Sequence, residues 1–327
     1  MRALVTGASG FTGGYMVDHL VERGYQVRTF VRPTSDTARL KAKGVDIVSG
    51  DLKYKADLAQ AMRNIDVVYH IAALYREANQ PDQAYWDVNV IGTENVMAAA
   101  LEMGVHRVVH CSTCGVHGHI EKPPADEKAP IKPGDIYQET KAEGEKVARF
   151  YNREKGLPVT IVRPVGIYGP GDRRMLKMYR MIYQGKFIMF GGGNVLYHLS
   201  HVTDVVEGFR LAGETPAAAG ETYIIAGEKY FTLNDFARMV AQALEVKPPR
   251  LHPPVWPVYA AGWLCEKICI PLRVQPPIFR RRVDIFVKDR AFDISKAKRE
   301  LGFQPRVELE HGIRCTAYWY KENGLLD

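Results

Sequence analysis

Short apolar runs alternate along this chain with longer segments in which apolar residues recur every three or four positions. Ala3-Leu4-Val5, Gln26 to Val31, Val45 to Val48, Val67 to Ile71, Arg107 to Cys111 and Val159 to Val162 have the length and the branched residues of strands. The segments between them have helical spacing. The first puts Val17, Leu20 and Val21 on one face and stops at Gly24, and the clearest span Trp86 to Met103 and Ile136 to Lys155. Strands alternating with helices predict an α/β fold: a doubly wound parallel sheet, covered on both faces, that binds ligands beyond the carboxyl ends of its strands.

After about residue 165 the alternation fades. Gly169-Pro170-Gly171, Gly191-Gly192-Gly193 and the proline-rich Lys247 to Pro257 punctuate shorter elements, while Thr222 to Ala226 reads as one more strand of the first sheet. The expected organisation is a sheet domain over 1–165, to which 202–226 returns, and a smaller, discontinuous lobe over 166–327. No internal repeat and no low-complexity segment interrupts it.

Composition narrows the function classes. The chain has 327 residues, 46% hydrophobic and 25% charged, which is neither disordered nor fibrous. Its net charge is +7, but the densest basic clusters, Arg280-Arg281-Arg282 and Lys296 to Arg299, are not interleaved with stacking aromatics. An anionic small ligand explains the excess better than nucleic acid. The five cysteines suit a reducing compartment, and the chain opens directly on a core strand, leaving no room for a signal peptide. The longest apolar stretch, Trp256 to Cys265, is about half the ~20 residues a bilayer span needs. A cytoplasmic location is expected. Cys111-Ser-Thr-Cys114 has metal-ligand spacing among several histidines, yet it follows a core strand and lacks a distant second ligand pair, so no metal site is expected.

Two motifs carry chemistry. Thr6-Gly7-Ala8-Ser9-Gly10-Phe11-Thr12-Gly13 joins the first strand to the first helix, the context in which a glycine-rich loop sets a pyrophosphate on a helix N-terminus. Its spacing is Gly-x-x-Gly-x-x-Gly. Further on, Tyr137 and Lys141 stand four apart on a helical segment and so share a face. A phenol titrates near ~10 when unperturbed, and bringing it to neutrality needs about 4 kcal/mol of differential stabilisation. Lys141 and a cationic nicotinamide together are suited to supply that.

With these pieces placed, the chain resembles the extended short-chain dehydrogenase/reductases of the NAD-dependent epimerase/dehydratase family over nearly its whole length. The resemblance rests on the glycine loop at 6 to 13, Gly50-Asp51-Leu52, His70-Ile-Ala-Ala73, Asn89-Val-Ile-Gly-Thr93, His110 to Gly118, Tyr137 to Lys141, Arg163 to Pro170 and His201-Val-Thr-Asp204. It implies a Rossmann-type fold with Tyr137 as general acid/base and Lys141 holding the nicotinamide ribose and tuning Tyr137. Setting Val116-His117-Gly118 against the family's Val-Tyr-Gly puts the substrate-binding hydroxyl at Thr113, with Ser112 beside it as the substitute. Gly7, Ser9, Gly10, Phe11, Thr12 and Gly13 are implied to cradle the cofactor. Asp51 and Leu52 face the adenine, Ala72 and Ala73 the ribose-phosphate side, Pro164 and Val165 the carboxamide, and Asn89 stabilises a helix bend behind the site. Homodimers built through the helices around the catalytic loop are common in such a family.

Substrate and cofactor choice depend on departures from the pattern. Nucleotide-sugar enzymes of the family usually carry an asparagine after Arg-Tyr-Phe, where this chain has Arg163-Pro164-Val165-Gly166, and an arginine at the position of Tyr197. Only Arg281 falls where a remaining diphosphate arginine would lie. The second lobe instead resembles the branch with 3-beta-hydroxysteroid dehydrogenases, dihydroflavonol reductases and hopanoid-associated reductases. Val255 to Leu272 is unusually apolar and reads either as a plain core helix, as a wall for an apolar substrate, or as a face resting on a membrane. Thr29-Phe30-Val31-Arg32-Pro33 has no carboxylate for a ribose hydroxyl, so NADP(H) is expected in preference to NAD(H), with Arg32 on the 2′-phosphate. The expected activity is hydride transfer between nicotinamide C4 and a secondary alcohol or ketone of a bulky apolar substrate. The alternatives are a sugar or nucleotide-sugar epimerase or dehydratase, and a non-catalytic nucleotide sensor.

Overall fold

The structure is a computed structural model that describes residues 1–76, 80–269 and 283–327. The elements follow in the order β1 (Arg2–Thr6), α1 (Phe11–Glu22), β2 (Gln26–Val31), α2 (Ala38–Ala42), β3 (Asp46–Ser49), α3 (Lys55–Ala61), β4 (Val67–His70), α4 (Asp82–Trp86), α5 (Gly92–Glu102), β5 (Arg107–Cys111), α6 (Ile136–Lys155) and β6 (Val159–Pro164). Then come β7 (Gly166–Tyr168), α7 (Leu176–Tyr183), β8 (Leu196–Tyr197), β9 (Leu199–His201), α8 (Val202–Glu214), β10 (Thr222–Ile225), β11 (Phe231–Thr232), α9 (Leu233–Ala243), α10 (Trp256–Cys269), α11 (Ser295–Leu301) and α12 (Leu309–Glu322).

Seven strands form one sheet in the order β10-β6-β5-β4-β1-β2-β3, and every pairing is parallel. Successive residues of a strand point to opposite faces, and β1 shows what this does: Ala3 and Val5 join the core under α1 and α8, while Leu4 joins the core under α3 and α5. β4, β6 and β10 are buried at every position, the signature of a sheet covered on both sides. The strand order reverses between β1 and β4, and a crevice opens there beyond their carboxyl ends.

A third core lies outside the sheet domain, where Tyr179 and Ile182 of α7 meet Phe236 and Val240 of α9 and Ile313 and Tyr320 of α12. Two short ribbons, parallel β7–β9 and antiparallel β8–β11, carry the chain between this lobe and the sheet.

Two elements depart from the sequence reading. The helix expected over Trp86 to Met103 is divided: α4 runs into a π turn at Asp87–Ile91 and then into α5. Asn89 lies in that turn, where its side chain accepts from the Leu74 amide at 2.8 Å and donates to the Leu74 carbonyl and to Thr140 Oγ1. Pinning the loop after β4 requires the side chain to leave the regular helical row. The second departure is α10. It is no core helix: only Gly262 is buried, while Trp256 is 72% exposed and Trp263, Leu264 and Ile268 about half exposed. Ile270, Leu272 and Arg281 lie outside the described residues.

Candidate active site

The glycine loop is built to let something approach closely. Gly7 has φ +75°, and a Cβ there would stand 2.8 Å from the Ala72 backbone; a Cβ on Gly13 would stand 2.1 Å from the Gly7 carbonyl oxygen. Glycine at these two positions therefore lets β1, α1 and the loop after β4 meet without a side chain between them. No side chain caps α1, and the first residues of the helix line the crevice, so its N-terminus is open to an anion.

That crevice is a cavity of about 670 Å³, and every site residue expected from the sequence lines it. Gly7, Ser9, Gly10, Phe11, Thr12 and Gly13 form its floor, and Arg32, Asp51 and Leu52 lie at the ends of β2 and β3. Ala72 and Ala73 follow β4, Ser112 and Thr113 follow β5, Tyr137 and Lys141 come from α6, and Pro164 and Val165 end β6. The residues present fit a nicotinamide dinucleotide: an anion-binding helix end in the middle, an adenine-sized apolar end, and a phenol and an ammonium at the other. Among the described residues no cluster of His, Cys, Asp or Glu is placed to hold a metal ion.

The helix that carries the phenol is anchored by Asp135, the N-cap of α6, whose carboxylate accepts from the Gln138 amide at 2.9 Å. The helix ends at Gly156 in the left-handed conformation. Tyr137 and Lys141 sit one turn apart on its buried face, at 9% and 1% exposure. Burial pushes the Tyr137 phenol well above its ordinary range; Cys111 and Tyr75 add to that, while Arg76 and Arg174 pull it back down. Burial lowers Lys141, with Cys111 and Glu145 acting to raise it.

Ser112 and Thr113 are adjacent in sequence but do different things. Ser112 is buried and its hydroxyl donates to Glu145 Oε1 at 2.6 Å. Glu145 in turn takes both Nε and Nη2 of Arg163 at 2.7 and 2.6 Å, and the opposing Nη1 of Arg163 meets His117 Nε2 and the Glu127 carbonyl. This is a closed polar network in which the hydroxyl of Ser112 is already committed. Thr113 Oγ1 instead accepts from the Gly115 amide at 3.0 Å, capping a 3-10 turn over Cys114–His117, and its own proton remains available towards the cavity.

Sequence reasoning missed three arginines in the cavity wall. Arg76 pairs with Asp135 at 2.7 Å. Arg174 is held by Asp172 Oδ1 and the Ile167 carbonyl and lies 5.3 Å over the Phe11 ring and 5.6 Å over Tyr75. Arg290 donates to the Tyr197 hydroxyl at 3.0 Å, so a guanidinium from a distant segment stands beside the position where the family's arginine is replaced by tyrosine. Tyr75 packs edge-on against Tyr137 with ring centres 4.9 Å apart. Tyr75-Arg76 lies just beyond the His70 to Ala73 motif and was within reach of the sequence argument; Arg290 had no motif around it.

Chemically, the arrangement brings a hydroxyl donor, a phenol and a buried ammonium to one end of a dinucleotide-shaped cavity. Such a set can hold an alcohol or carbonyl oxygen and move a proton to or from it. Over 97% of its length the chain is 32% identical to a 3-beta-hydroxysteroid dehydrogenase of Mycolicibacterium neoaurum, 91% of which is covered. It is equally identical to a 4-hydroxy-2-methyl-3-oxo-4-farnesyl-3,4-dihydroquinoline-1-oxide ketoreductase of Stigmatella aurantiaca, across 96% of this chain and 95% of that one. Among solved structures, the dTDP-glucose 4,6-dehydratase DesIV of Streptomyces venezuelae, with NAD and TYD bound, superposes at a TM-score of 0.80 with 27% identity, covering 99% of this chain and 98% of that one. The model of the NAD dependent epimerase/dehydratase family matches residues 3–226, and the chain belongs to that family of NAD(P)-dependent, extended short-chain dehydrogenase/reductase enzymes.

Proposed function

We propose that the protein is a reductase or dehydrogenase that passes a hydride between nicotinamide C4 and a secondary alcohol or ketone on a bulky, largely apolar substrate. The observation that carries this reading is the opening of Thr113, Tyr137 and Lys141 into the same cavity as the glycine loop. A nicotinamide cofactor bound on that loop supplies the hydride chemistry. Thr113 Oγ1 donates to the substrate oxygen, and Tyr137 Oη gives or takes its proton. Lys141, one turn further along α6, would hold the nicotinamide ribose, and Phe11, Tyr75, Met175, Met178 and Ile285 give the substrate end an apolar lining. Arg32, at the cavity end of β2, favours NADP(H) by offering a guanidinium to a 2′-phosphate.

Exposed Leu101 on α5 and Phe150 on α6 support a homodimer through those helices, and no helix among the described residues is long and apolar enough to cross a membrane. A cytoplasmic location fits this reading. The second reading, an epimerase or dehydratase of sugar nucleotides, is favoured by the likeness to the DesIV structure. Nicotinamide absorbance separates them: with 3β-hydroxysteroids or flavanonols and their ketones, net oxidation or reduction of added NADP(H) is expected. Conversion of a nucleotide sugar without net change in an enzyme-retained cofactor would replace the first reading by the second.

A further inference from the structure

Helix α10 carries an exposed apolar face that the catalytic site does not use. Trp256, Tyr259 and Trp263 succeed one another at three- and four-residue spacing, Leu264 and Ile268 form the neighbouring row, and all five are more than 40% exposed. Leu251, just before the helix, is 66% exposed. No residue of α10 lines the catalytic cavity among the described residues, so the helix is not the substrate wall that its composition also allowed. The patch nevertheless adjoins the cavity mouth: Val255, the residue before α10, reaches the Gly191 loop, Phe190 of that loop packs on Phe286, and Ile285 beside it lines the cavity.

Charge indicates what covers this face. Among the described residues from 247 to 269, Lys247 and Arg250 before α10 and Lys267 within it are exposed, against the single acidic residue Glu266, in a chain whose net charge is +7. Large apolar and amphipathic rings on one side of a short helix, flanked by exposed basic residues, match the interface of an anionic bilayer: tryptophan and tyrosine settle at headgroup depth, and each basic residue near the surface adds about 1 kcal/mol. At 14 residues the helix is too short to span and suited to lie in the plane. A second copy of this chain would bring the same surplus of positive charge against itself.

We propose that α10 is a membrane-docking helix that seats the protein on anionic phospholipid, with the cavity mouth beside the lipid. The docking stands by itself; its use, lateral entry of an apolar substrate, rests on the function proposed above. Binding is therefore read without turnover. The full-length protein is sedimented with phosphatidylglycerol/phosphatidylcholine vesicles and with phosphatidylcholine vesicles alone. Binding to the anionic vesicles, weakened by high salt and accompanied by a blue shift of tryptophan emission, is the expected result. Trp256→Ser/Trp263→Ser/Leu264→Ser should lower the partition at least tenfold while keeping the wild-type circular dichroism and cofactor binding. Lys267→Glu, a milder change at an exposed site, should lower it roughly fivefold or more on anionic vesicles only. Failure of the wild-type protein to bind anionic vesicles, equal binding by both variants, or a dimer in sedimentation equilibrium that the triple variant abolishes would overturn the proposal. The last result would make the face an interface between copies.

Discussion

The guanidinium carbon of Arg76 lies 5.6 Å over the ring of Tyr137. Asp135 holds Arg76 in that place and also caps the helix that carries Tyr137, so one carboxylate fixes both partners. Arg76 and Arg174 are the charged side chains that counter the burial of the phenol and favour its ionised form.

It follows that Arg76→Met or Arg174→Met should raise the Tyr137 pKa. Oxidation of an alcohol needs the phenolate, so its rate should rise with pH, and the rising limb should move to higher pH in either variant. The pH profile of kcat/KM measures this. A profile that stays in place while kcat/KM falls uniformly would reduce the arginines to substrate contacts.

The hydroxyls after β5 should separate by readout. Thr113→Val deletes a donor aimed at the cavity, and kcat should fall about 100-fold if that bond tightens in the transition state. Ser112→Ala removes a bond to a buried carboxylate, and should cost about 1.5–3 kcal/mol of stability in urea unfolding with little change in kcat. The reverse assignment of the two effects would move the catalytic role to Ser112.

Much of this site was legible in the chain because its parts are local. A strand, a tight turn and a helix within some twenty residues announce the phosphate cradle, and Gly7 and Gly13 are glycine for steric reasons that act within the loop and its neighbour strand. Tyr137 and Lys141 share a helix face by spacing alone. Arg174 and Arg290 were not legible, because each comes from a different segment and tertiary folding alone brings them to Tyr75 and Tyr197; Arg76 adjoins the His70 to Ala73 motif, but its place over the Tyr137 ring is likewise set by tertiary folding. The π turn at Asn89 entered the sequence reading only as a bend implied by the family resemblance, because the hydrogen bonds that favour it run to Leu74 and Thr140, not along the helix. An apolar segment such as α10 has the same composition whether it is buried or exposed, so only the folded chain distinguishes them.

Cofactor preference depends on Arg32. Fluorescence titration should give tighter binding of NADPH than NADH, and Arg32→Ala should erase most of the difference, by roughly 1.5–3 kcal/mol if it removes a charge-assisted bond. Equal affinities in the wild-type protein would contradict the assignment.

Acid should destabilise the fold through its histidines. Burial holds His70 neutral down to about pH 3 and His201 to about 4, and lowers His110, His117 and His198 as well. An unfolded histidine takes up a proton near ~6.5, so below that pH the unfolded chain binds protons that the folded chain refuses. Their contribution is complete above about pH 6.5 and is lost progressively as pH falls towards these lowered values. His110, both of whose ring nitrogens lack a partner among the described residues, is the test position: His110→Leu should flatten the fall of the urea midpoint with acidification. An unchanged slope would show that other groups carry it.

The central claim is that Tyr137 moves the proton that accompanies hydride transfer, and Tyr137→Phe tests it most directly. The substitution keeps the ring against Tyr75 and removes only the hydroxyl. With an alcohol or ketone that the wild-type enzyme turns over, nicotinamide absorbance should show a rate loss of ~100-fold to 10,000-fold, with NADPH binding retained. A Tyr137→Phe enzyme that reacts at the wild-type rate would contradict the account.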